Sequence, residues 1–227
     1  MFDDIGVVIP ARLGSSRIAE KMTLPFDGTN LLAWKINQLK EVTSTDNIFV
    51  STEDDMLKEI AFSHGVQVHH RDFYLADRHK AAFNEVITGI VKDVPFDHVA
   101  WITAVVPLMS PKEYRRAFEV YVQNVIKDKQ NDSLFSVNLL KEYFWDDFKS
   151  INYQADKNHT ISQELPNFYR VTNGLYMRDK ASIMKEEYFL GKNPYKFVVG
   201  KIAGIDIDEI EDYDMARALI EVYKKSI

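Results

Sequence analysis

The sequence predicts an α/β protein, a Rossmann-like and mostly parallel sheet flanked by helices, with one small insertion. Three observations predict it. Short apolar runs alternate with stretches of helical spacing through the first half of the chain, as a parallel sheet covered on both faces requires. The first run, Val7-Val8-Ile9, empties through Pro10 into a glycine- and serine-bearing loop with three cations, Arg12, Arg17 and Lys21. The alternation breaks over 139–172 and then resumes.

The elements follow in order. Ile5 to Ile9 reads as a buried strand, and Pro10, without an N–H, ends its ladder. Leu31, Leu32, Trp34, Ile36 and Leu39 place a helix over 30–42. Asn47 to Ser51 is a second strand. Thr52 then caps a helix with Glu53, Asp54 and Asp55 in its first turn and Gly65 at its stop. Val66 to Val68 is a strand that delivers His69, His70 and Arg71 to its carboxyl end. A helix over 81–91 turns Phe83, Val86, Ile87, Ile90 and Val91 inward. A strand from His98 to Thr103, a helix from Pro111 and a strand from Ser133 to Asn138 complete the first half.

Residues 139–172 carry the dense aromatic run Tyr143-Phe144-Trp145 and then a polar stretch. They are expected to form an insertion in a main domain of 1–138 and 173–227. Aromatics are common at interfaces, so a partner subunit and the chain's own domain are both candidate surfaces. Strands at Gly174–Met177 and 196–202 follow, and a closing helix presents Met215, Ala218, Leu219 and Val222 to the core.

The 227 residues fit one domain, or one with an appendage. The balance of 28 basic and 34 acidic residues gives a net charge of −6, which argues against nucleic-acid binding by bulk charge. With no cysteine, disulfides and thiolate metal sites are excluded. The start, Met1-Phe2-Asp3-Asp4, lacks the cations of a secretory leader. No apolar run approaches the roughly 20 residues of a membrane span. A cytoplasmic protein is the expectation, with no membrane partner.

Two stretches carry chemistry. The cationic loop leaves the carboxyl end of a strand, the edge where open α/β sheets bind ligands. Its backbone N–H groups and cations suit phosphate, although it matches neither G-x-x-x-x-G-K-[ST] nor G-x-G-x-x-G, and a solvated turn is the alternative. Near the other end, Asp206 and Asp208 alternate with Ile205 and Ile207. Alternation in an extended segment puts both carboxylates on one face, a good pair for a hard divalent cation. Helix capping is the alternative for either. Together, loop and acids would make a phosphoryl- or nucleotidyl-transfer site with Mg²⁺. The histidines show no metal-ligand spacing.

The run Ile9-Pro10-Ala11-Arg12-Leu13-Gly14-Ser15-Ser16-Arg17, with Lys21, resembles the opening signature of the sugar cytidylyltransferases, both acylneuraminate and 3-deoxy-manno-octulosonate types. Further matches keep their order: Val50-Ser51-Thr52-Glu53-Asp54, Gly65 to Arg71, Pro107-Leu108, Asn173-Gly174-Leu175-Tyr176, and Ile205-Asp206-Ile207-Asp208 with Asp212. The resemblance implies a nucleotide-diphospho-sugar transferase type of fold. It implies transfer of CMP from CTP to an acidic sugar, with release of pyrophosphate. Ala11, Arg12, Ser15 and Arg71 would meet the nucleotide, and Arg12 and Lys21 would hold the triphosphate as catalytic cations. Asp206 and Asp208 would hold Mg²⁺. Lys141, Arg170, Asn173, Tyr176 and Phe189 would recognise the sugar acid. The insertion would be a dimerisation arm of a homodimer.

The chain departs from the family pattern at Thr103-Ala104-Val105-Val106, where the acylneuraminate enzymes have Gln-x-Thr-Ser before the proline. Ser162 stands near the place of a second expected arginine, and Ala81-Ala82 replace small polar residues. These departures leave the sugar open. Three rival readings stand beside this one: a different nucleotidyltransferase, a glycosyltransferase using Asp206-Ile207-Asp208 as its D-x-D, and a non-catalytic binding protein of the same fold.

Overall fold

The computed structural model describes residues 2–14, 17–77 and 79–225. Strand β1 (Ile5–Pro10) is followed by a hairpin of β2 (Pro25–Phe26) and β3 (Thr29–Asn30), and by helix α1 (Leu31–Lys40). Next come β4 (Ile48–Thr52), α2 (Asp55–Ser63), β5 (Gln67–His70), α3 (Phe73–Ala76), α4 (Phe83–Val91), β6 (His98–Trp101) and α5 (Pro111–Tyr121). The second half supplies β7 (Ser133–Leu140), β8 (Phe168–Asp179), α6 (Lys180–Glu186), β9 (Pro194–Val198), α7 (Ile210–Ala218) and α8 (Ile220–Lys224).

Seven strands form one sheet in the order β5-β4-β1-β6-β8-β7-β9. β1 pairs in parallel with β4 and β6, β4 with β5, and β7 with β9. β8 runs antiparallel to both its neighbours. The sheet is covered on both faces. Val7 and Ile9 join one core with Leu32, Ile36, Leu57 and Phe118, while Val8 joins another with Ile87, Ile90, Val91 and Ile183. A strand buried on both faces must be apolar without alternation, and β1 is. The carboxyl ends of β1, β4, β5 and β6 therefore share an edge. Because Trp101 pairs with Tyr176, the middle of β8 reaches that edge as well.

Several local expectations are corrected. Asp54, not Thr52, caps α2: its Oδ1 accepts from the Leu57 N–H at 3.1 Å, and Thr52 finishes β4. Phe83 is exposed rather than inward, and it lines the cavity described below. The closing helix is two helices, and it buries Tyr213, Ala216 and Tyr223 while Met215 and Val222 are half exposed. Tyrosines set that face because their hydroxyls find polar partners: Tyr213 donates to the Pro25 carbonyl, and Tyr223 accepts from Gln38 Nε2 at 2.7 Å.

The strand expected at Gly174–Met177 is three times that length, because Phe168 to Val171 pair with the end of β7. The ladder thus takes in both ends of 139–172 and leaves 141–167 largely irregular. Within that arm Tyr143, Tyr153 and His159 pack on one another, with Tyr143 centred 4.7 Å from Tyr153. Trp145 and Phe148 stay exposed, Phe148 by 89%.

Candidate active site

A cavity of about 690 Å³ opens at the shared strand edge. Pro10 and Arg12 reach it from the end of β1, Arg71 from the end of β5, and Trp101, Thr103 and Val105 from the end of β6 and beyond. Asn173 and Tyr176 come from β8, and Asp206 and Asp208 from the segment before α7. The cationic loop and the acidic pair, far apart in sequence, face one space.

The charged end is tightly cross-linked. Arg71 is buried; its guanidinium donates to Glu53 Oε2 at 2.7 and 3.1 Å and to the Ala11 carbonyl at 2.5 Å. Arg12 donates to the Ala76 carbonyl at 3.2 Å, which ties the loop to α3. Arg17 meets Asp208 Oδ1 at 2.6 Å. Ser15 lies outside the described residues. Lys21 is buried behind this wall and is absent from the cavity lining. Its ammonium donates to the Ile207 carbonyl at 2.7 Å and stands 3.8 Å from Asp208 Oδ1. Burial lowers its pKa, and Asp208 opposes that shift.

The acidic segment belongs to no strand, yet it alternates as an extended segment should. Ile207 is buried and donates its N–H to the Val105 carbonyl at 2.8 Å, while Asp206 and Asp208 both line the cavity. Neither caps α7. Asp212 Oδ2 does, accepting from the N–H groups of Asp208 and Glu209 at 3.0 and 2.8 Å. Asp206 Oδ2 accepts from Asn173 Nδ2 at 2.8 Å. Its other oxygen, Oδ1, is buried with no hydrogen-bond partner among the described residues. Burial pushes the Asp206 carboxyl up in pKa, with Asp208 adding to the shift against the Asn173 hydrogen bond. A buried carboxylate oxygen without a donor is costly, and a bound divalent cation would satisfy it. The donor set therefore fits a hard metal. Two carboxylates alone leave coordination positions for phosphate oxygens and water.

The other end is aromatic. Phe189 lies between Trp101, at 4.8 Å, and Tyr176, stacked at 5.2 Å, with Phe83 edge-on at 6.1 Å. Tyr188 completes the wall. Burial pushes the Tyr176 hydroxyl up to about 12, so it stays protonated and donates to Asn173 Oδ1 at 2.7 Å.

Of the five residues expected at the sugar, Asn173, Tyr176 and Phe189 line the cavity. Lys141 and Arg170 do not. Lys141 donates to the Gln163 and Leu165 carbonyls across the base of the arm, and Arg170 to Asn138 Oδ1 at 2.6 Å and the Gly204 carbonyl at 3.0 Å. Both hold backbone or side-chain partners within this chain. The sequence reading missed Glu53, Phe83, Trp101 and Tyr188. Trp101 had a signal, since it ends a buried strand at the ligand edge. Phe83 and Tyr188 had none without the fold.

Ser51, His69 and Asp93 line up elsewhere: Ser51 Oγ is 3.0 Å from His69 Nδ1, and His69 Nε2 is 3.2 Å from Asp93 Oδ2. Ser51 is fully buried within β4, so no substrate can reach it and the trio is structural.

Solved structures share this fold. The chain overlays a solved CMP:2-keto-3-deoxy-manno-octonic acid synthetase in complex with CTP, with TM-score 0.68 and 13% identity over 96% of this chain and 98% of that one. It also overlays a cytidylyltransferase from Leptospira borgpetersenii with TM-score 0.63 and 18% identity, over 98% and 94% of the two chains. The family model described as cytidylyltransferase matches residues 6–225, and the chain belongs to that family. Among curated relatives it is 26% identical to the pseudaminic acid cytidylyltransferase of Campylobacter jejuni, over 96% of this chain and 97% of the relative. It is 24% identical to the CMP-N,N'-diacetyllegionaminic acid synthase of Legionella pneumophila, each covered to 97%.

Proposed function

We propose that this protein is a CTP:sugar-acid cytidylyltransferase that joins CMP to an acidic nonulosonic or 3-deoxy-ulosonic sugar and releases pyrophosphate. The observation that carries this reading is the convergence of Arg12, Arg17 and Arg71 with Asp206 and Asp208 on one cavity. CTP would lie across the end of β1, its nucleoside by Ala11 and Arg71 and its triphosphate over Arg12 and Arg17. The anomeric hydroxyl of the sugar gives up its proton to solvent as its oxygen attacks the α-phosphorus in line, the bond to the β-phosphate oxygen breaks, and pyrophosphate leaves with the charge. Positioning and charge neutralisation do most of this work. Arg12 and Arg17 stabilise the leaving group, while Lys21 holds the acidic segment in place from behind.

Asp206 and Asp208 would hold Mg²⁺, which when bound supplies charge neutralisation and Lewis-acid polarisation of phosphate oxygens. Asn173, Tyr176 and Phe189 would face the sugar. The exposed aromatics of the arm, Trp145 and Phe148 among them, support a homodimer in which 141–167 covers a partner subunit. No helix of the described residues is long and apolar enough to cross a membrane, in keeping with a cytoplasmic enzyme.

The test is a panel of sugar acids with CTP and Mg²⁺, read for both pyrophosphate and a CMP-sugar product. The reading expects one acidic nonulosonic or ulosonic sugar to give both in equal amounts. Absence of both across the panel, with the protein folded, would overturn it.

A further inference from the structure

Asn173 is one of five described non-glycine residues at positive φ, at 57°. Asparagine tolerates that region better than most side chains, yet the conformation needs support inside a strand. Thr103 provides it: its Oγ1 donates to the Asn173 carbonyl at 2.7 Å. Thr103 is also the residue that stands where the family pattern has glutamine. The side-chain amide of Asn173 is used at both ends. Its Oδ1 accepts from the Tyr176 hydroxyl, and its Nδ2 donates to Asp206 Oδ2. The Asp206 carboxylate only accepts, so the amide turns its nitrogen to Asp206 and its oxygen to Tyr176, whose hydroxyl donates to it and holds it there. One carboxylate oxygen is thus tied down, and the other, Oδ1, has no hydrogen-bond partner among the described residues.

We propose that Asn173, locked by Thr103 and oriented by Tyr176, is a positioning residue that fixes the Asp206 carboxylate and thereby sets the affinity of the site for a divalent cation. The inference rests on the reading of Asp206 and Asp208 as cation ligands, and it gives Asn173 a task other than contact with the sugar. Groups that orient a metal ligand typically contribute 10–100-fold to metal affinity.

The experiment measures Mn²⁺ binding directly, by the loss of the free-ion electron paramagnetic resonance signal, with protein alone and with protein plus CTP. Wild type is compared with Asn173→Gly, Thr103→Val, Thr103→Ser and Tyr176→Phe. Glycine keeps the positive φ accessible and removes only the amide, and thermal melts check that each variant is folded. Asn173→Gly is expected to weaken Mn²⁺ binding about 10–100-fold. Thr103→Val and Tyr176→Phe should weaken it by smaller factors, and Thr103→Ser should restore it. Wild type that binds no Mn²⁺ overturns the cation reading and the inference together. Wild type that binds, with Asn173→Gly binding equally well, overturns the inference alone. So does a pure rise in sugar KM with cation affinity unchanged.

Discussion

The two ends of the cavity are built by opposite means. The aromatic end is packed: Phe189 is 2% exposed and wedged among Trp101, Tyr176 and Phe83. The charged end is held by hydrogen bonds and ion pairs, those of Arg71 and Lys21 buried and that of Arg17 half exposed. Arg17 sits on Asp208, Arg71 on Glu53 and Ala11, and Lys21 on the backbone of Ile207. Packing fixes a shape before any ligand arrives. Ion pairs at a half-exposed surface are worth little, so Arg17 can leave Asp208 for a phosphate at small cost. The aromatic end is therefore expected to carry stability, and the charged end turnover.

Substitutions should separate the two. The largest effect expected is on stability at the aromatic end: Phe189→Ala should cost about 3–5 kcal/mol in chemical denaturation, as for other buried Phe truncations. A loss below about 1 kcal/mol would mean that the wall is loose and forms only around substrate. At the charged end, Asp208→Ala should cut turnover by ~10²-fold or more. Its free energy of unfolding should stay within about 1 kcal/mol of wild type, because its ion pair with Arg17 is half exposed and Lys21 keeps its bond to the Ile207 carbonyl. A fall in stability as large as that of Phe189→Ala would erase the contrast. The smallest effect is expected far from both ends. Met215→Ala, half exposed on α7, should change stability by no more than about 0.5 kcal/mol. A loss of about 2 kcal/mol there would restore the apolar face that the sequence pattern predicts.

Much of this was legible before the fold was known, and the exceptions have physical causes. β1, β4 and β6 are short apolar runs, and apolar runs of that length read directly. The first turns of α2 and α5 carry capping signals, and Gly65, at φ 72°, stops α2 as its position predicts. The start of β8 was hidden because Phe168 to Val171 are all exposed and show no buried face. The buried face of α7 and α8 was displaced because tyrosine scores as half polar, yet Tyr213 and Tyr223 bury their rings and keep a hydroxyl partner. At the site, alternation placed Asp206 and Asp208 correctly on one side. What alternation could not reveal was the Asn173 amide that ties Asp206 down, or that Lys21, Lys141 and Arg170 donate to protein oxygens rather than line the cavity. Those partners come from segments distant in sequence, and only the topology of β8 against β6 brings Thr103, Asn173 and Asp206 together.

The central claim is that a single nucleoside triphosphate bridges the loop after β1 and the acids before α7. A crystal structure of the protein with CTP and Mn²⁺, with the metal located by its anomalous signal, tests it most directly. The account predicts one manganese peak between Asp206, Asp208 and the phosphates, with Arg12 on the triphosphate. CTP bound away from Arg12, or manganese bound away from both carboxylates, would contradict it.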